Sequence, residues 1–374
     1  MRILFVVLIF VHGIIHLMGV AKAFAPGGLS RLTLEVSKPA GLIWLTASIL
    51  FTVAAILFIT GNSSWWMIAA PALVISQALI IMAWSDAKFG TVANIIIVVP
   101  LIIAAANSLP SSFANIYRKE VMRGLQRSSE LQVVQAEDIR HMPEPVQRYL
   151  VYTGAVGKPR PQNVRAAFAG HMKTKMDGSW MDITSRQYNF FDDPKRVFYI
   201  ESSMFGIPFD GLHLYAGPHA TMQIRVASLF QVVDARGAEM DKGETVTLFN
   251  DMCFLAPASL IDAKISWESV DSLTVRARFT NAGNTITAVL FFNRTGELTD
   301  FSSEDRYQSA DGKTYLNYRW STPVKEYRDF QGCRLASSAE AIWHPPGGDL
   351  VYAKFDLIEL EYNCRNTTAG NSND

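Results

Sequence analysis

Four apolar runs occupy the first 109 residues, and no other feature of the chain restricts its folding as strongly. They are roughly Ile3–Phe24, Pro39–Thr60, Trp65–Ser85 and Phe89–Leu109. Each reaches the roughly 20 residues that an α-helix needs to cross a hydrocarbon core. In lipid a backbone polar group must be satisfied within its own segment, so runs of this length are helices. The first run is longer than the apolar part of a removable signal peptide, and three more follow it. Trp44, Trp65, Trp66 and Trp84 lie near the ends of runs, where amphipathic rings prefer the membrane interface.

An even number of crossings would put both flanks of this region on one side. With the N-terminus inside, the inner flanks carry Arg2, Arg118, Lys119, Arg123 and Arg127. Turned round, they carry Lys22, Arg31, Lys38 and Lys88. Cations collect on the cytoplasmic side of short loops, which narrowly favours the first arrangement. His12 and His16, in "VHGIIHLMG", stand four apart on one helical face. Such a pair could ligate a metal or haem. Interhelical hydrogen bonding is the plainer reading, with Gly13 and Gly19 allowing close approach, because no further ligand set accompanies them. Ser76, Gln77 and Asn94 read the same way.

Beyond residue 109 the composition becomes that of a soluble domain. The chain carries 34 Lys and Arg against 34 Asp and Glu, and no cluster of cations suggests nucleic acid. Cys253, Cys333 and Cys364 fit no metal spacing, and an odd, scattered set suits a reducing compartment. Cys333 and Cys364 could still meet across a hairpin. No G-x-S-x-G, H-E-x-x-H or phosphate-binding glycine loop is present, and no cofactor is expected.

Residues 110–160 read as a helical connector. "NIYRKEVMRGLQ" is an amphipathic helix whose cations could lie on anionic headgroups. "HMPEPVQRYLVYTGAVGKP" is a second helix, with Pro145 near its start and Gly154 after its end. Residues 161–365 alternate with a period of two. In "LTVRARFT", Leu273, Val275, Ala277 and Phe279 share one face, and Thr274, Arg276, Arg278 and Thr280 the other. Turn signals such as "MDGS", "NAGN", "ADGK" and "HPPGGD" recur between such runs. In the last strand parity changes after Leu357, as a β-bulge would cause. The fold expected is a four-helix membrane domain plus an α+β soluble domain. The latter is a curved, half-barrel-like antiparallel sheet of about ten strands with one packed helix. Residues 366–374 are expected to be a disordered tail.

That helix follows "VVDARGAEMDKGE", residues 232–244. Asp241 and Glu244 have the spacing of a capping box before the apolar positions Leu248, Met252 and Leu255. Asp234 and Glu239 remain as catalytic candidates, with Arg236 between them. Two carboxylates can divide acid and base roles when their environments differ.

"HGIIHLMGVAKAF", "SQALIIMAWSDAKFGTVAN", "PEPVQRYLVYTGAVGKPR" and "VVDARGAEMDKGE" together resemble a bacterial family of membrane proteins of unknown function. The resemblance runs end to end and implies four N-terminal spans followed by a β-rich domain. Relatives that consist of the soluble part without a signal peptide imply a cytoplasmic place for it, beneath the bacterial inner membrane. No catalytic residue can be carried over.

The leading expectation is a membrane-anchored binding module for a lipid or another apolar molecule, by analogy with the half-barrels of lipoprotein carriers. Its ligand-binding candidates are Trp180, Tyr188, Met222, Arg236, Met240 and Met252, in a domain also supplied with Met172, Met181, Met204 and Phe205. One alternative is a hydrolase or isomerase using the 234–241 carboxylates, with Tyr188 or His213. Another is a structural interaction protein of the inner membrane. The orientation has a direct test. A phosphatase that is active only outside the cytoplasm, fused after Asp374, should remain inactive, and high activity would reverse the assignment.

Overall fold

The computed structural model describes residues 2–25, 33, 35–126, 130–204 and 206–366. Phe205, Arg31, Arg127 and the expected tail from 367 onward lie outside the described residues. The chain divides into two compact units, the first ending at Ser112 and the second starting at Phe113.

The first unit is helical: α1 (Arg2–Phe24), α2 (Lys38–Ile59), α3 (Trp65–Met82), the single turn α4 (Trp84–Ala87) and α5 (Gly90–Ser108). Four segments, starting at Arg2, Lys38, Trp65 and Gly90, are long and apolar enough to cross a membrane. Their outward positions are bulky and apolar, as at Ile3, Val74 and Phe89, while Ala47, Ala54, Ala69 and Ala72 are fully buried where helices meet. Gly19 lies so close to the Trp44 indole that a methyl group would collide with it. His12 Nε2 is 2.9 Å from Asn94 Oδ1 and 3.2 Å from Ser76 Oγ, which ties α1 to α5 and α3. His16 Nδ1 is 2.8 Å from the carbonyl of His12 in its own helix. The two imidazoles thus serve different partners. Among the described residues no group of three His, Cys, Asp or Glu is placed to hold a metal.

The second unit begins with α6 (Phe113–Leu125) and α7 (Glu144–Tyr152). A meander follows: β1 (Asn163–Met172), β2 (Met181–Phe190), β3 (Lys195–Met204), β4 (Ile207–Ala216), β5 (His219–Val226) and β6 (Phe230–Ala235). Then come the helix α8 (Ala238–Leu255) and a second run, β7 (Ile265–Ser269), β8 (Thr274–Asn281), β9 (Asn284–Phe292) and β10 (Leu298–Ser303). The chain ends with β11 (Tyr307–Gln308), β12 (Leu316–Asn317), β13 (Arg319–Ser321), β14 (Val324–Phe330), β15 (Cys333–His344) and β16 (Leu350–Tyr362). The main sheet has the order β6-β5-β4-β3-β2-β1-β16-β15-β13-β10-β9-β8-β7, with β14 also beside β15. β11 and β12 form a separate ribbon. About ten strands were expected. The described residues form sixteen, and three of the excess are pieces of two or three residues, too short to show a period: "YLNYRW" is split between β12 and β13.

The alternation in β8 is as the sequence implies, with Val275, Ala277 and Phe279 buried and Arg276 and Arg278 exposed. The parity change in β16 is a bulge: Ala167 pairs with Glu359 but Phe168 with Leu357, so Ile358 is the extra residue. All three cysteines are buried and free.

The sheet is open, and α8 shows that it curls. Thr245 Oγ1 of α8 is 2.7 Å from the Tyr215 hydroxyl of β4, while Phe249 stacks at 5.2 Å on Phe279 of β8. β4 is third and β8 twelfth in the strand order, nine steps apart. Nine steps span about 43 Å in a flat sheet. A helix with its side chains is only about 10–12 Å across. Both strands reach one helix because the sheet bends around it. The capping box expected at Asp241 and Glu244 is not formed. The helix starts four residues earlier, behind Gly237 at φ 102°. Asp241 instead accepts the Ala220 amide at 2.6 Å, and Glu244 is drawn to Arg196.

α6 packs Phe113, Tyr117 and Val121 on Tyr188, Tyr199 and Leu212, on the opposite face of β2–β4 from α8. Arg118, Lys119 and Arg123 remain exposed. Beside this contact Asp210 of β4 is buried, and neither carboxylate oxygen has a hydrogen-bond partner. Burial raises its pKa to about 6, with Glu201 adding to the shift and Arg225 opposing it. A carboxylate with a raised folded-state pKa favours folding at low pH and loses that contribution as pH rises through the folded value. Asp210→Asn should therefore stabilise the protein at pH 8, by up to about 3 kcal/mol, with the gain vanishing near pH 4. Melting temperatures at the two pH values test this, and an equal effect at both would refute it.

Candidate functional site

Between α8 and the concave face of the sheet lies a cavity of about 390 Å³. Most of its wall is apolar, including Phe168, Phe198, Ile224, Met240, Trp343 and Phe355. These side chains come from β1, β3, β5, α8, β15 and β16, so the wall exists only because the sheet curls.

One side of the wall is charged. Arg196 of β3 reaches Glu244 at 3.1 Å and Asp251 at 2.7 Å, both on α8. Arg196 is 6% exposed and Glu244 1%. Gln187 and Asn189 of β2 also donate to Asp251, at 3.1 and 2.9 Å. His213 Nδ1 lies 3.0 Å from Glu244. Burial alone would raise the Glu244 pKa, but Arg196 and His213 bring it down to about 2. The carboxylates in turn raise that of Arg196 above its already high value, against the opposing effect of burial.

A second arginine faces the same space. Arg306 lies over the rings of Trp320, at 4.3 Å, and Trp343, at 5.2 Å. It donates to the hydroxyls of Thr247 and Tyr352, each at 3.1 Å. Two hydroxyls and a pair of indole rings thus hold it in place. The arrangement presents an apolar body with a polar, hydrogen-bonding side, which suits an amphipathic guest.

Of the residues suggested by the sequence, Met222, Met240 and Glu239 line the cavity. Met252 packs in the core behind it. Tyr188 is buried on the far face of the sheet, next to Tyr117 of α6. Trp180 is exposed, with Lys173 and Lys354 over its ring. Asp234 and Arg236 form an exposed pair at 2.7 Å outside the lining. The 234–241 carboxylates therefore have separate surroundings: a surface ion pair, the cavity rim and the Ala220 amide. His213, named for the hydrolase or isomerase alternative, also lines the cavity, whereas Arg196, Asp251 and Arg306 were missed as site residues. Glu244, Thr247 and Asp251 are a polar stripe at i, i+3 and i+7, and that stripe was the available signal.

The central part of the chain, residues 132–355, matches the model of a family of unknown function, DUF6544. The chain belongs to that family. No curated protein sequence matches it. Among solved structures, the chain is similar to an outer membrane lipoprotein-sorting protein domain from Vibrio parahaemolyticus, with 10% identity, TM-score 0.34, and 61% of this chain and 92% of that one covered. A LolA superfamily protein from Nitrosomonas europaea gives 10% identity and TM-score 0.33, over 58% and 93%. A DUF1329 family protein from Desulfovibrio piger gives 10% and 0.32, over 58% and 91%. Likeness this loose supports no functional reading by itself.

Arg196→Met should cost about 3–5 kcal/mol, because it leaves two carboxylates buried without their counter-charge. Replacing Glu244 and Asp251 by Leu in the same variant should recover much of the loss. Glu244 supplies its stability above the ordinary carboxylate pKa and loses it as pH falls toward about 2. Thermal melts of the two variants at neutral pH decide the matter. A loss below about 1 kcal/mol for the single change would contradict a structural role for the network.

Proposed function

We propose that the protein is a membrane-anchored binding module whose curled, half-barrel-like sheet holds a lipid or another amphipathic apolar molecule. The observation that carries this reading is the 390 Å³ cavity between α8 and the sheet, apolar around most of its wall and charged along one side. Its size falls in the ordinary range of small-molecule sites. A structural interaction protein has no use for such a space, since natural cores hold few voids larger than a water molecule. The carboxylates of residues 234–241 supply no converging pair for acid–base work, so binding is the better reading. Anchoring by the four apolar helices keeps the site beside a store of such ligands. We place the anchor in the bacterial inner membrane and the second unit on its cytoplasmic side. The free cysteines and the cations flanking the helices support that side.

The test uses the full chain in lipid nanodiscs with a photoactivatable fatty acid. Crosslinks mapped by mass spectrometry should fall on cavity segments such as 196–224 and 343–357, besides the apolar helices. Met222→Trp should fill space and reduce the cavity crosslinks severalfold, with the melting temperature nearly unchanged. In a solid core the same change would overpack and cost about 1–3 kcal/mol. Crosslinks confined to the apolar helices would refute the reading.

A further inference from the structure

Three hairpins of the second unit end on the same side. The pairs Met172–Met181, Met204–Ile207 and Val226–Phe230 close the β1–β2, β3–β4 and β5–β6 turns, and antiparallel order puts all three turns at one end of the sheet. Among the described residues of this unit, fourteen large apolar side chains are exposed. Six of them, Met176, Trp180, Met204, Ile207, Leu229 and Phe230, stand on these three turns. Phe230 is 67% exposed, an unfavourable state in water for a ring that could have been polar. Scattered single exposures need no explanation, but such a cluster marks an interaction surface.

Two further observations say what covers it. The first is where the chain enters this unit. Phe113, at the start of α6, lies under Arg225, one residue before the β5–β6 turn, with the guanidinium 4.1 Å from its ring. The other end of α6 reaches the opposite end of the sheet, where Glu120 pairs with Lys195 and Gly124 lies against Phe190. The entry point is thus at the hairpin end, and only residues 109–112 separate it in sequence from the apolar helix α5. The second is the cavity, which extends to this same end through Met172, Lys173 and Leu350. Trp180, with Lys173 over its ring, and Phe230 are of the residue types that settle at a bilayer interface.

We infer that the three hairpin turns insert their apolar side chains into the interface of a lipid bilayer, next to the end of the cavity. A ligand could then pass between bilayer and cavity without exposing its apolar part to water. Insertion of six such side chains removes their surface from water and holds the turns at the membrane.

The experiment uses the full chain reconstituted in phosphatidylcholine–phosphatidylglycerol vesicles. Phe230→Cys and Met204→Cys place a thiol on two of the turns, and Asp193→Cys places one on the β2–β3 turn at the opposite end. The native cysteines are buried, and the parent protein sets the labelling background. Each thiol carries a polarity-sensitive fluorophore. Lipid-borne doxyl groups should quench the labels at 230 and 204 at least about threefold more than the label at 193, and aqueous iodide should show the reverse order. Equal quenching at all three positions by both agents would overturn the inference. A label at 230 shielded from both quenchers would put another protein chain on the surface and would overturn it as well. The cavity reading stands or falls separately, on the crosslinking.

Discussion

Arg196 is the residue on which the second unit turns. It stands on the concave face of β3 and holds two carboxylates one helical repeat apart on α8. Burying three charges is expensive, and an apolar trio of the same volume would often give equal or greater stability. What the charges add is position. Apolar contacts let a helix slide or rotate against a sheet, but a guanidinium bound to Glu244 and Asp251 sets both the rotation and the axial place of α8. His213 adds a partner for Glu244, and Gln187 and Asn189 donate to the same Asp251 oxygen that Arg196 binds, so further side chains hold the two carboxylates in place.

From that position the curvature follows. With α8 fixed against β3 and β4, Phe249 points at Phe279 and Phe301 of the second run of strands. The second run must come round to cover those rings. The two ends of the sheet are then close enough for Asn281 of β8 to donate to the Tyr215 hydroxyl of β4 at 2.9 Å. The helix fills one part of the trough it has created. The remainder is the cavity, flanked by Arg306 and its tryptophans.

The sequence made the outline of this fold legible wherever a pattern was long. The apolar runs, the alternation of Val275, Ala277 and Phe279 and the parity change in β16 each extend over enough residues to establish a period. It was silent on pieces such as β11 and β12, whose two residues have no period. It misled at Asp241 and Glu244, where local spacing matched a cap while distant partners, Ala220 and Arg196, claimed both carboxylates. The candidate site shows the same limit. Met222 and Met240 could be chosen because methionines are common in adaptable pockets. Arg196 could not, since an arginine in an alternating strand normally faces water, and neither could Arg306, which lies in the loop between β10 and β11. The stripe of Glu244, Thr247 and Asp251 resembled the wet side of an amphipathic helix, and nothing local reveals that a helix is covered on both sides.

The cavity itself sets a condition on how the protein exists. Leaving a space of 390 Å³ dry and empty would cost at most roughly 9 kcal/mol at about 24 cal/mol per Å³, the figure for a sealed void. That is comparable to the whole stability of an ordinary domain, about 5–15 kcal/mol. Collapse would recover the loss, but the walls resist it: the Arg196 network fixes α8, and Arg306 is held between hydroxyls and indole faces. Water can fill only the charged side, where it finds partners, since an apolar wall offers it none. The rest of the space is stable when a molecule with an apolar body occupies it. Such a guest adds to the stability of the folded state in proportion to the logarithm of its concentration over its dissociation constant. On the proposed reading, a reservoir of apolar molecules close at hand would help to keep the fold intact, and four helices apolar and long enough to cross a membrane would keep the chain beside it.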